Sequence, residues 1–330
     1  MADIDFVVTW VDGNDPEWRA EKNKYLGVQG DQSDVRYRDW DILKYWFRGV
    51  EKFAPWVRKI HFVTCGHLPE WLDVTNPKLH IVKHTDFIPE KYLPTFNSHT
   101  IELNMHRIEG LAENFVYFND DMFLTKETSP ELFFKDGYPC ATFGLQVIKF
   151  TKNSIGWILG SNIAVINEHF NMREVLKKHR KKVYSPKNGI KRVVKSWLLS
   201  KCVWYFSGLY DWHLAIPFSK STFEEVWGVE EEVLDETCAC RFREKTNVSP
   251  YLFEYWQMVT GKFTPRTTKV GHTYHVTDKN IQSMCEGIEQ QRYNLVCVND
   301  TDRLTDWEKA AEETSRSFEK ILPEKSGFER

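Results

Sequence analysis

Two short acidic runs follow apolar stretches and could do chemistry. Asn119-Asp120-Asp121 follows Asn114-Phe115-Val116-Tyr117-Phe118, and Asp12-Gly13-Asn14-Asp15 follows Ile4-Asp5-Phe6-Val7-Val8-Thr9-Trp10-Val11. Carboxylates in such a place bind Mg²⁺ or Mn²⁺, and the ion bridges diphosphate oxygens as a phosphate departs. The plainer reading of both runs is a polar turn, since Gly and Asn suit positive φ. Asp211-Trp212-His213 sets a histidine among aromatics, where packing is its ordinary role. Arg241-Phe242-Arg243 supplies two guanidiniums, a group suited to bidentate phosphate contacts. Val298-Asn299-Asp300 is another junction of apolar run and polar turn. His272 and His275 lie three apart, but their neighbours favour strand, where they face opposite sides. A zinc pair is therefore disfavoured.

These groups need elements to hold them. Residues 4–11, 59–64, 79–82 and 114–118 read as strands, bounded by Gly, Asn, Asp and Pro. Residues 17–24, 39–53 and 100–114 read as helices; in the second, Leu43, Trp46, Phe47 and Val50 form one apolar stripe. Helices are also expected over 221–236, 280–289 and 306–322, the last capped by Thr305 or Asp306 and ended by Pro323. Strands alternating with helices predict an α/β fold with a largely parallel, Rossmann-like sheet flanked by helices. Ligands of such sheets bind beyond the C-terminal strand ends, where both acidic runs fall. There is no GxGxxG after the first strand and no GxxxxGK[ST], which disfavours a dinucleotide fold and a P-loop. No GxSxG occurs either.

Composition narrows the class. With 42% hydrophobic and 28% charged residues over 330 positions, the chain is globular and can bury a sizeable core. A formal net charge of -3 argues against coating a nucleic-acid backbone. Seven cysteines at scattered spacings, without a CxxC, are expected to be free thiols in a reducing compartment. No apolar run approaches a membrane span, and no signal peptide is read at the N-terminus, so the cytoplasm is the expected place of work.

One segment departs from the rest. Between 173 and 201 lie eleven Lys or Arg, including Lys181, Lys182, Lys191 and Arg192, against one acid, Glu174. Trp197 lies within it and Trp204 just after it. A basic stretch interleaved with Trp and Leu reads as an interfacial membrane segment, and its bland counterpart is a solvated charged helix. The expected organisation is one α/β catalytic domain from 1–150 and 207–330, with 151–206 as a helical insertion facing the inner side of the cell membrane.

The chain resembles the Stealth family, which includes bacterial capsular and exopolysaccharide sugar-phosphotransferases. Four regions carry the resemblance. The first is the run from Ile4 through Asp12-Gly13-Asn14-Asp15-Pro16. The second begins at Arg36-Tyr37-Arg38-Asp39, passes through Trp56-Val57-Arg58 and Phe96-Asn97-Ser98, and ends at Asn119-Asp120-Asp121. The third is looser: Trp212-His213, Pro217, Lys220 and Phe242-Arg243. The fourth is Val298-Asn299-Asp300 with Phe318 and Pro323-Glu324-Lys325-Ser326-Gly327. The basic segment matches no family pattern.

The resemblance implies transfer of a hexose- or N-acetylhexosamine-1-phosphate from a UDP-sugar to a hydroxyl of a glycan acceptor, releasing UMP. It implies His213 as general base, Asp121 as its catalytic neighbour and Arg243 on the diphosphate. Asp12, Gly13, Asn14, Arg36, Arg38, Asn97, Ser98, His99, Asn299 and Asp300 are implied donor contacts. Asn119, Asp120 and Asp121 are the candidate ligands of Mg²⁺ or Mn²⁺. Of the two adjacent aspartates, Asp121 is expected to face the site. A lipid-linked glycan would suit the basic, Trp-bearing segment. The competing readings are a conventional glycosyltransferase releasing UDP and a non-catalytic carbohydrate- or lipid-binding protein.

Overall fold

The computed structural model describes residues 3–26, 38–152 and 154–330. Arg36 lies outside the described residues. The strands in chain order are β1 (Ile4–Thr9), β2 (Ile60–Thr64), β3 (Leu79–Lys83), β4 (Asn114–Asn119), β5 (Met122–Leu124), β6 (Phe134–Lys135), β7 (Tyr138–Ala141), β8 (Ile216–Ser219), β9 (Thr264–Pro265), β10 (Gly271–His275) and β11 (Leu295–Asn299).

The central sheet has the order β3-β2-β1-β4-β8. Its first four strands are parallel and β8 runs antiparallel against β4. Alternation along the strands divides the core. Val7, Phe115 and Tyr117 enter one buried cluster, and Phe6, Val8, Val116 and Phe118 enter the other. Each face is covered by helices, which is why both faces of β1 and β4 are apolar. The stripe Leu43, Trp46, Phe47 and Val50 is buried as expected, on the helix Leu43–Phe53.

β1 and β4 are neighbours in register, with Thr9 opposite Asn119. Both acidic runs therefore leave the sheet side by side at one end. A second sheet, β10-β11-β5, stands next to that end. Its β5 follows β4 after a turn of two residues, Asp120 and Asp121, and pairs antiparallel with β11.

The expected helix over 100–114 is much shorter. It spans Ser98–Leu103 and ends at Asn104, whose side-chain amide donates back to Thr100 O at 2.8 Å. Beyond a 3-10 turn, Gly110 has φ 72°. The backbone there is held by β1 and its neighbour: Arg58 donates to Gly110 O at 2.7 Å, and Ala112 N–H donates to Asp5 Oδ2 at 2.8 Å. The expected helix over 221–236 is two helices, Lys220–Val229 and Glu231–Ala239.

The basic segment folds as helices Met172–Lys178, Arg180–Val183 and Ile190–Cys202. Met172, Val175, Leu176 and Val183 enter the same buried cluster as Val7 and Phe115. Two of its expected membrane-facing cations turn inward. Lys182 Nζ donates to Gly261 O at 2.7 Å, and the Arg192 guanidinium lies 3.8 Å from the Tyr210 ring centroid. Both find protein partners that satisfy the charge and cover the stem.

Candidate active site

The loop after β1 is braced from β2. Asp12 N–H donates to His67 Nε2 at 2.7 Å, while Asp12 Oδ1 accepts from Asn14 N–H at 2.8 Å. Asp15 caps the helix Pro16–Tyr25 through Glu17 and Trp18 N–H. Arg19 holds Asn14 Oδ1 at 3.0 Å. An Nε2 that accepts from an amide puts the imidazole proton on Nδ1, which faces Asp15 Oδ2 at 3.5 Å. Burial keeps the His67 pKa below its ordinary value despite Asp15 and Asp12, in keeping with a neutral ring.

The turn after β4 holds the centre of the site. Asp121 O accepts Val298 N–H at 2.8 Å, which fixes the turn against β11. Asp121 Oδ2 lies 3.5 Å from His213 Nε2 and accepts from the Cys297 thiol at 3.2 Å. Asp121 Oδ1 is buried without a hydrogen-bond partner. On its other edge, His213 Nδ1 lies 3.3 Å from the Tyr251 hydroxyl, and its carbonyl accepts from Thr273 Oγ1 at 2.7 Å. Burial works against the charged imidazole, but Asp121 and then Glu102 outweigh it, so His213 is raised above its ordinary pKa. The pair remains open to solvent, with side chains 34% and 27% exposed.

Asp120, beside that pair in the chain, is exposed. Surrounding protein mass and the Asp121 and Asp39 carboxylates push its pKa up to about 7. Asp39 is itself raised, by burial and by Asp41 and Asp12. The two acidic runs thus share one negative field.

Arg243 reaches the same field: its charge opposes protonation of His213, and its guanidinium donates to Ser98 Oγ. Asn97 is fully buried and builds that junction. Its Nδ2 donates to Cys240 O at 3.2 Å and Asn247 Oδ1 at 3.0 Å, and its Oδ1 caps His99 N–H at 3.1 Å. His99 is buried as well. Asn97 and His99 thus support the site from beneath, while Ser98 and Arg243 face it. Arg38 and Asp300 come together at 3.7 Å, and Trp40 Nε1 donates to the same Asp300 oxygen at 3.1 Å. Asn299 ends β11 beside them.

Five neighbours are missed by the sequence reading: His67, Glu102, Tyr117, Tyr251 and Cys297. The buried Tyr117 hydroxyl meets Thr9 Oγ1 at 3.3 Å, Glu102 Oε1 at 3.0 Å and Asn119 Oδ1. Tyr117 stands two residues before Asn119 on β4, so the alternation of the strand was the available clue.

Asp121, His213 and Cys297 lie close enough to share a metal ion. Their donor set does not fit Mg²⁺ or Mn²⁺, which prefer oxygen. Burial and Asp121 also push the Cys297 thiol far up, so it stays protonated and donates. Oxygen donors are found instead in Asp120, whose charge is unmet, and in the orphaned Asp121 Oδ1.

Comparison with known proteins bears on this site. Two family models match: Stealth protein CR1, conserved region 1, over residues 2–27, and Stealth protein CR2, conserved region 2, over residues 36–141. They contain the β1 loop and the Asp120-Asp121 turn. Among curated relatives, the receptor polysaccharide phosphotransferase WefC of Streptococcus oralis is 39% identical over 100% of both chains. The capsular polysaccharide phosphotransferase WcwK of Streptococcus pneumoniae is 40% identical over 99% of both. The exopolysaccharide phosphotransferase cps2G of Lactiplantibacillus plantarum is 37% identical over 99% of this chain and 96% of its own. Among solved structures, the galactosyltransferase LgtC aligns over 95% of both chains at TM-score 0.37 and 9% identity. The fold is of the α/β class, with a mostly parallel central sheet. The chain belongs to the Stealth family, and it is an enzyme of the phosphotransferase class.

Proposed function

We propose that the protein moves a sugar-1-phosphate from a UDP-sugar to a glycan hydroxyl in capsular or exopolysaccharide synthesis. The observation that carries this reading is full-length similarity to named polysaccharide phosphotransferases, with His213 and Asp121 paired beyond the sheet. The acceptor oxygen attacks the β-phosphorus. The bond from that phosphorus to the bridging oxygen breaks, and UMP leaves with the oxygen. A phosphodiester remains.

His213 takes the hydroxyl proton. The tautomer that can do so carries its proton on Nδ1, beside the Tyr251 hydroxyl, and leaves Nε2 to accept; the imidazolium that forms faces Asp121. Arg243 stabilises charge growing on the transferred phosphoryl group. The Asp12-Gly13-Asn14 loop lines the nucleotide pocket, with Arg38 and Asp300 at its rim. Asp120 and Asp121 would hold Mg²⁺ or Mn²⁺, which when bound neutralises diphosphate charge. The reaction is placed in the cytoplasm, where UDP-sugars are made.

The test is nucleotide release. Purified protein is given a panel of UDP-sugars, a glycan acceptor pool, and Mg²⁺ or Mn²⁺ with an EDTA control. Acceptor-dependent UMP is expected, lost with EDTA. UDP in its place would show transfer of the sugar alone and overturn the reading.

A further inference from the structure

The helix Ile190–Cys202 is packed inside out. Its small polar Ser196 faces the protein, where Ser196 Oγ accepts Leu145 N–H at 2.8 Å. Four of its large apolar residues face solvent, while Leu199 packs against the core: Ile190 is 75% exposed, and Val194, Trp197 and Leu198 about half exposed. These positions are spaced i, i+4, i+7, i+8 and form one stripe. Just past the helix, Trp204 is 73% exposed. Val147 and Phe150, on another segment, are exposed as well. A contiguous outward apolar face of this kind marks an interaction surface.

Charge says what covers it. A groove of about 790 Å³ runs beside Trp197 between this helix and Met172–Lys178. Arg173, Lys177, Arg180 and Lys201 line it, and no acid does. Glu174, the one acid between 173 and 201, is not among the lining residues. Lys191 and Lys195 flank the apolar stripe on the helix itself and are exposed. Apolar side chains ringed by cations, with Arg173 over the Trp204 ring and Lys201 over the Trp197 ring, complement a surface with an anionic skin over hydrocarbon. Among the described residues no helix is long and apolar enough to cross a membrane, so the contact is lateral.

The geometry points to this face as the docking surface for an anionic lipid bilayer, with Ile190, Trp197, Leu198 and Trp204 entering the interface and the groove cations meeting lipid phosphates. Lys182 and Arg192 take no part, being bound within the protein. Arg192 instead links the docking helix to the catalytic segment, since it stacks on Tyr210, three residues before His213. If the proposed reaction holds, a glycan carried on a membrane lipid would be presented near His213.

The test uses the full chain and involves no turnover, so its failure is separate from failure of the phosphotransfer reading. The protein is sedimented with vesicles of phosphatidylcholine alone or with one third phosphatidylglycerol, at low and high salt. Binding to the anionic vesicles, weakened by salt, is expected. Trp197→Ser with Trp204→Ser should abolish it. Lys177→Gln with Arg180→Gln should weaken it roughly thirtyfold. Ile190→Asn, at the most exposed position of the stripe, gives a second apolar test should the tryptophan variant misfold. Failure to bind, equal binding to both vesicle types, or undiminished binding by these variants would overturn the assignment. So would a concentration-dependent dimer that Ile190→Asn dissolves, because a second copy would then cover the face.

Discussion

His213 Nε2 stands 3.5 Å from Asp121 Oδ2, and the Asp121 oxygen it faces is also the acceptor of the Cys297 thiol. The pair is assembled by three elements far apart in the chain, and the carboxylate perturbs the histidine. The imidazolium is favoured by the carboxylate, so the His213 ring should titrate above its ordinary 6.5. In Asp121→Asn the midpoint should fall. NMR of the His213 ring protons across pH reads both directly, and an unmoved midpoint in the variant would detach Asp121 from the histidine.

Turnover should depend on the same ring. His213→Ala should lower kcat by roughly 10²–10⁴, the usual contribution of a positioned base, with circular dichroism unchanged. Tyr251→Phe removes the hydroxyl partner of His213 Nδ1 and should cost a smaller part of the rate. Unchanged kcat in His213→Ala would remove it from the mechanism.

Arg243 should act on the transferred group. Arg243→Ala is expected to lower kcat by roughly 10²–10³. Arg243→Lys should restore little, because a point charge does not reproduce the guanidinium fork. Recovery to wild-type rate by lysine would reduce the role of Arg243 to bulk charge.

The brace on the β1 loop predicts a split in kinetics. In His67→Ala the Asp12 N–H loses its acceptor, and the loop should loosen. Donor KM should rise on the order of tenfold with kcat little changed. His67→Gln, which offers an oxygen acceptor, should recover part of the loss. If kcat fell and KM held, His67 would belong to the chemistry instead.

Asp5 should govern acid stability. It is fully buried, and burial opposes its charge, but His61, Arg58 and Ala112 N–H prevail and hold its pKa below the usual 3.8. A carboxylate depressed in the folded state contributes stability above 3.8, and that contribution is lost as pH falls through the lower folded value. Asp5→Ala should cost about 3–5 kcal/mol at neutral pH in urea unfolding. Its deficit should shrink as pH falls below the unfolded carboxyl pKa. A deficit independent of pH would assign the loss to packing alone.

Most of the scaffold was legible in the chain. The four parallel strands announce themselves as β-branched and aromatic runs closed by Asp, Asn or Gly, and the two acidic runs fall at their ends. The helix over 100–114 misled because Ile101, Met105 and Ile108 carry the i, i+4, i+7 spacing of a helix. What ends it is tertiary: Arg58 and Asp5 claim the backbone of Gly110 and Ala112 from another element. The preference for Asp121 over Asp120 could not be decided by alternation, since both lie in a turn. Cys297 and Tyr251 enter the site through pairing of β5 with β11 and packing of the helix Tyr251–Val259, neither of which local pattern encodes. Likewise, the inward turn of Lys182 and Arg192 depends on Gly261 and Tyr210, remote in sequence.

The contact between Cys297 and Asp121 spans 176 residues. A ribosome making this chain exposes β1 to β4 long before β11 exists, so the parallel strands can gather early while β5 waits without its partner. The site then closes only once β11 has emerged. Nascent or truncated molecules lacking β11 therefore leave the Asp121 turn without the backbone and thiol that hold it, and synthesis itself becomes the step that withholds activity until that strand is made.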